Sequence, residues 1–234
     1  MTSTPRLSLP VIEAAQAQKH VTHNEALVLL DALTQLAVES RALTAPPGSP
    51  ADGACYIPAT GASDAWSGWD GQIAAYSGGG WLKIVPVSGL KAWVKAERLT
   101  VTFEDGVWRD GVALTGNGGR VTLRAKEEEL TLSGAYVETA DAAFIPNGAI
   151  VLGVAARTTE AITGATSYAV GTAANATQFG DTLNVALGST NVGAIGPVAF
   201  YADTKARVTA NGGSLSAGKV RLIVYFIEIA APTS

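Results

Sequence analysis

The sequence has one cysteine, one methionine and two histidines, and only 15% of its 234 residues are charged. Each scarcity excludes something. A lone Cys55 rules out an intramolecular disulfide framework and reads as a small buried hydrophobe. Soluble domains carry about 25% charged residues. The deficit here, with 47% hydrophobic content, excludes a disordered chain. A net charge of -4 is the wrong sign for tracking phosphates, so no nucleic-acid partner is expected. No apolar run approaches the ~18 to 20 residues of a spanning helix, so no membrane insertion is expected. The most apolar stretches, residues 150–156 and 222–229, are strand-length. Residues 1–10 lack the apolar centre of a signal peptide, so synthesis in the cytoplasm is expected.

Catalytic side chains are equally sparse. His20 and His23 form H-x-x-H with Glu25 nearby, but there is no third histidine and no cysteine close in sequence. Capping and packing are the expected roles, and no metal or other cofactor is expected. A Ser-His-Asp site in the later β-rich part would have to borrow a histidine from the helical arm. Carboxylate pairs such as Asp64 with Asp70, or Asp181 with Asp203, would be needed for glycoside hydrolysis. Acids in turns read more simply as solvated turn residues. Gly78–Gly80 and residues 116–119 lack the Lys-Ser/Thr of a phosphate cradle. The chain is therefore expected not to be an enzyme.

What is present falls into three stretches: 1–44, 45–110 and 111–234. The first is the helical part. Thr22-His23-Asn24-Glu25 reads as a capping box, followed by a helix over residues 26–40. Leu27, Leu30, Leu33 and Leu36, with Val21 before them, make that helix apolar around most of its circumference. An isolated surface helix has one apolar stripe. Partner helices of a homo-oligomer would cover the rest, with burial inside its own chain as the alternative. Residues 44–50, TAPPGSP, cannot continue a helix and read as a linker.

All five tryptophans lie in the second stretch, among short strands and glycine turns. It reads as a small antiparallel β unit. Trp81 and Trp93 read as its core. Trp66 and Trp69, flanked by Asp70, have two readings: core, or a platform on which sugar rings stack. The third stretch has strand candidates at 121–125, 135–138, 150–156, 168–171, 198–201, 206–210 and 220–229, with turns such as Asn211-Gly212-Gly213 between them. This argues for an antiparallel β-sandwich, jelly-roll type included. The fold class expected is thus mainly β, with an N-terminal helix. In the last strand, Val220, Leu222, Val224 and Phe226 face one way and Ile223, Tyr225, Ile227 and Ile229 the other. A strand apolar on both faces is covered on both. Loops around 172–181 and 188–193 are polar, small-residue candidates for a receptor surface.

Residues 15–27, AQAQKHVTHNEAL, resemble the opening of a phage-derived family, formerly of unknown function, found in alphaproteobacterial prophages and gene transfer agent clusters. The resemblance continues through 43–47 (LTAPP), 52–57 (DGACYI), 65–76 (AWSGWDGQIAAY) and Gly80-Trp81. More loosely, residues 161–165 and 220–229 resemble the β domain that follows in such virion proteins. The resemblance implies a structural protein of a phage-like particle, a head spike or fibre. Its implied partners are copies of itself, as a trimer, other spike or capsid proteins, and host capsular polysaccharide. Its implied place is the head surface of a particle released by lysis. The alternatives are a purely structural adaptor and a capsule-depolymerising glycosidase.

Overall fold

In the computed structural model the described residues are all but 1, 2, 7, 8, 10, 12–18, 233 and 234; for 19–22 only the backbone is described. No described helix is long and apolar enough to cross a membrane. The chain divides into two compact units, Met1–Gly111 and Val112–Ser234.

The first unit starts with helix α1, Lys19–Leu33. The helix begins and ends earlier than the sequence suggests. Thr22 and Glu25 lie within it, so they do not form a capping box. At the other end Gln35 adopts a left-handed φ of 49°, and Leu36 turns into the core. The chain then enters strand β1, Ala37–Val38. The last turn of α1 is held by Arg6. Its guanidinium donates to the backbone oxygens of Asp31 (2.9 Å), Ala32 (2.6 Å) and Gln35 (3.0 Å). A cation there satisfies the orphan carbonyls and the negative end of the helix dipole. The buried Asp31 carboxylate accepts in return from Thr4 Oγ1 and the Arg6 amide, both at 2.9 Å.

Residues 44–50 lie inside this unit. The Thr44 carbonyl accepts from the Ser63 amide, and the neighbouring Leu43 carbonyl from Ala59. Strands β2 (Cys55–Tyr56), β3 (Ile73–Ser77) and β4 (Gly80–Ile84) form one antiparallel sheet. Strands β5 (Lys91–Val94), β6 (Leu99–Glu104) and β7 (Val107–Asp110) form another, with β1 parallel to β5 at its edge. The β6–β7 hairpin turns at Asp105-Gly106, both with positive φ, as the paired geometry of a tight hairpin requires. One core joins helix and sheets: Ala32, Leu36, Val38, Cys55, Ile73, Val94 and Val101 are all buried in it. Alternation along β3 puts Ile73 and Ala75 into that core and Ala74 against Trp66 on the other side. Cys55 is buried, and burial pushes its thiol pKa up.

The second unit holds strands β8 (Ala113–Leu114), β9 (Arg120–Thr131), β10 (Tyr136–Glu138), β11 (Ile150–Thr163), β12 (Ser167–Gly171), β13 (Gly180–Leu183), β14 (Thr190–Ala199), β15 (Arg207–Asn211) and β16 (Ala217–Ala230). One sheet runs β14-β11-β16-β9-β8 and the other β10-β15-β12-β13. Leaving the short edge strand β8 aside, the eight strands pair first with last: β9 with β16, β10 with β15, β11 with β14, β12 with β13, all antiparallel. Nested antiparallel pairs folded over into two sheets constitute a jelly roll. Strands β9, β11 and β16 run longer than the stretches expected at 121–125, 150–156 and 220–229, β8 and β13 match no expected stretch, and the candidate at 198–201 overlaps β14 only at its last two residues.

Leu222, Val224 and Phe226 from one sheet meet Tyr168, Val170 and Val208 from the other in a single core. The inner face of β9 is unusual. Lys126 donates to Asp141 (2.9 Å) and to the Ala143 carbonyl, and Glu128 accepts from the amides of Ala140 and Asp141. These charges fasten the β10–β11 connection over the sheet. Antiparallel register gathers the connections 139–149, 172–179 and 200–206 at one end of the sandwich, since Gly171 and Glu138 both face Arg207, and Ile150 faces Ala199.

Candidate functional site

The tryptophan candidates separate. Trp66 ends a short 3-10 turn, Asp64–Trp66, and is 0% exposed. Its ring lies 5.4 Å from Tyr56 and 5.0 Å from Trp81, centroid to centroid. Trp66 is therefore a core residue and does not form a stacking platform for sugars. An aromatic cluster this size supplies apolar area that a small β unit lacks elsewhere. Trp69 is half-buried, with the Lys83 ammonium 5.9 Å from its ring centre. Lys83 Nζ also donates to the Gly68 carbonyl at 3.1 Å, so one face of Trp69 is occupied. Asp70 accepts from the amides of Gly61 (3.0 Å) and Ala62 (2.9 Å). Those backbone donors hold its carboxyl below the usual carboxylate range. Asp70 ties a loop. Of the other tryptophans, Trp108 is buried with Nε1 donating to Gly71, Trp81 is half-buried, and Trp93 points outward, 44% exposed, because the alternation of β5 turns Ala92 and Val94 inward.

The helix candidates separate too. Leu36 is buried and Leu33 packs against the same core. Leu27 is half-buried, and Leu30 is 54% exposed. Intrachain packing thus uses one end of the run and leaves Leu29 and Leu30 open. The side chains of Val21 and His20 lie outside the described residues. Among the described residues no three His, Cys, Asp or Glu side chains cluster as metal ligands. Asp181 and Asp203 do not meet. Asp181 accepts from Asn211, at one end of β15, and Asp203 holds the Asn147 amide in the connection before the other end.

The outer face of the large sheet is the most distinctive surface of the second unit. Val220, Leu222, Val224 and Phe226 point inward and are almost fully buried. The opposite face of β16 carries Ile223, Tyr225, Ile227 and Ile229. Beside Tyr225 stand Ala125 on β9 and Gly153 on β11, and beyond Gly153 stands Ala194 on β14. Leu123 is 57% exposed, Ile229 66% and Val192 80%. Gly153, Ala155, Val192 and Tyr225 line a shallow depression of about 200 Å³ here. Toward one end the face becomes charged, with Arg221 between Glu127 (3.8 Å) and Glu129 (2.9 Å).

Sequence reasoning found the apolar alternation of β16 but not a groove at the loop-rich end of the sandwich, about 660 Å³ in volume. Its polar lining comes from Glu138, Thr172, Asn175, Gln178, Asp203 and Lys205. The polar loop around 172–181 singled out in the sequence supplies Thr172, Asn175 and Gln178, but no sequence signal joins it to Glu138, Asp203 or Lys205, because β10, β12 and β15 come together only through the nested pairing.

Residues 23–109 match a family model described as a protein of unknown function (DUF2793). The matched segment lies wholly within the first unit. No curated protein matches the chain. Among solved structures, a chain titled as the capsid asymmetric unit of cyanophage Pam1 is similar, at 23% identity and a TM-score of 0.34. That similarity covers 51% of this chain and 93% of that one.

Proposed function

We propose that the chain is a non-enzymatic structural protein of a phage-like particle, a head spike or fibre of the gene-transfer-agent type. In this reading it assembles with copies of itself, as a trimer, and with other particle proteins. Its jelly-roll unit adheres to host capsular polysaccharide without cleaving it. The observation that carries the reading is the apolar outer face of the large sheet. The jelly roll already closes its own core, yet Tyr225, Val192, Leu123 and Ile229 remain open to solvent. A contiguous apolar surface on a complete domain marks an interaction site. The resemblance of residues 15–81 to prophage and gene-transfer-agent proteins supplies the particle context. Jelly rolls serve both as capsid modules and as lectins, which accords with assembly and adhesion in one unit.

The test uses the purified full chain on capsulated cells and on acapsular mutants of the same strain. Retention by capsulated cells alone is expected, with no shortening of the capsular polymer. Equal retention on both would support the adaptor reading instead. Progressive chain shortening would support a depolymerase.

A further inference from the structure

We propose that the groove bounded by residues 172–178 and 198–205 is a binding site for an uncharged saccharide chain. The inference rests on the adhesive reading above and assigns it a site and a ligand class. Three features carry it.

The first is that the 172–178 loop is built rigidly. A Cβ on Gly171 would stand 2.1 Å from the Asn175 carbonyl oxygen, so the loop lies directly on the strand below it. Phe179 anchors the loop's end in the core, and its carbonyl accepts from Asn191 Nδ2 at 2.9 Å. Inside the loop, Thr172 N donates to the Asn175 carbonyl at 2.8 Å and Thr172 Oγ1 to Gln178 Oε1 at 3.3 Å. A loop fixed before binding loses little entropy on binding.

The second is that the two amides and two carboxylates of the groove are each held by one atom, with the other unpaired among the described residues. Asn175 Oδ1 accepts from the Thr177 amide and hydroxyl, both at 3.2 Å, which leaves the Nδ2 amide hydrogens unused. Gln178 spends Oε1 on Thr172 and keeps Nε2. Glu138 spends Oε1 on Arg207 and keeps Oε2. Asp203 spends Oδ1 on the Asn147 amide at 2.8 Å and keeps Oδ2. Lys205 Nζ has no partner among the described residues. Amide donors beside carboxylate acceptors suit vicinal hydroxyls, each of which both donates and accepts. Val198 and Phe200 add apolar lining for the C–H faces of sugar rings.

The third is charge. Of the two carboxylates at the groove, Glu138 is neutralised by Arg207, and Asp203 is balanced by the Lys205 ammonium. With no surplus positive charge the groove gives a uronic-acid polymer no Coulombic attraction, and its hydrogen-bonding groups and apolar lining suit a neutral hexose or N-acetylhexosamine chain. A volume of about 660 Å³ lies within the ~300–1,000 Å³ of ordinary ligand sites.

The test is native affinity electrophoresis of the full chain through gels containing dextran, mannan, galactan, chitosan re-acetylated to neutrality, or polygalacturonate. Retardation by at least one neutral polymer and none by polygalacturonate is expected. The double variant Asn175→Ala/Gln178→Ala should weaken that retardation at least tenfold while keeping the wild-type melting temperature. Leu187→Ser, at an exposed position in the connection between β13 and β14, serves as a control that leaves the groove and the outer sheet face intact. Unchanged retardation in the double variant would overturn the groove while leaving the adhesive reading standing. Preference for polygalacturonate would overturn the ligand class. A wild-type chain retarded by no neutral polymer overturns the proposal, and equal retention on capsulated and acapsular cells then overturns the adhesive reading with it.

Discussion

Trp66 and Trp69 sit three residues apart and have opposite situations. Trp66 fills the space between β2, β3 and β4, touching Tyr56 and Trp81. Removing a fully buried aromatic side chain costs about 3–5 kcal/mol. Trp66→Ala should therefore destabilise the first unit by about that much in chemical denaturation, and Trp69→Ala by well under half. Asp70 makes a second residue-scale prediction. Its carboxyl is held below the usual range by the Gly61 and Ala62 amides, with desolvation opposing. A depressed value means the carboxylate supports the folded loop above the ordinary carboxylate range, and that support is lost as pH falls through the depressed value. The Gly61 and Ala62 amide shifts should titrate together, with a midpoint below that of an exposed aspartate. A midpoint at or above it would contradict the geometry. Neither role is readable from the sequence SDAWSGWDG, where both tryptophans have the same small, polar neighbours. Both pack on the Ala74 side of β3, where Tyr56 and Trp81 enclose Trp66 while Trp69 stands at the edge of the cluster beside Lys83.

At the scale of elements, alternation is what the sequence states most clearly. Period-2 patterning placed Val220, Leu222, Val224 and Phe226 on one face of β16, and they are the inward ones. The Asp-Gly dipeptide at 105–106 has the residue types that a two-residue hairpin turn requires. The end of α1 was hidden, because Leu36, Ala37 and Val38 continue the apolar run with no proline or glycine to stop it. What stops it is tertiary: Arg6, 25 to 29 residues before the carbonyls it binds, occupies the terminal oxygens. Strand β13 was hidden for a related reason, since Gly180-Asp181-Thr182-Leu183 reads as a turn until Tyr168 and Val170 pair with it. Glycines at close backbone approaches were equally silent. A Cβ on Gly193 would stand 2.0 Å from the Phe179 carbonyl oxygen and 2.5 Å from that of Val154. Both atoms are backbone and neither can swing aside. Gly193→Ala should cost about 1–3 kcal/mol and lower the melting temperature of the second unit while leaving the first unit's unfolding unchanged. Calorimetry of the full chain would resolve the two transitions.

At the scale of the molecule, the low charge and high apolar content acquire a location. In the second unit, the core takes the inward faces of both sheets, and the surplus lies outside on β9, β11, β14 and β16. Ion pairs there are spent within the sheet, Arg221 on Glu127 and Glu129, and Lys219 on Glu160 at 3.6 Å. Such exposed pairs contribute little stability, but they leave few unpaired charges to oppose a second apolar surface. The jelly-roll topology was legible as a class, from many short strands and turns. The groove was not, because its residues are spread over 138–205 and only nested pairing joins them.

The central claim is that this outer face is a contact between copies of the chain. Multi-angle light scattering at micromolar concentration, comparing the wild type with Tyr225→Lys, tests it most directly. The predicted result is a trimer for the wild type and a folded monomer for the variant, because a charge at the centre of the face would be buried without a partner. A monomeric wild type, or a variant that remains trimeric, would contradict the claim.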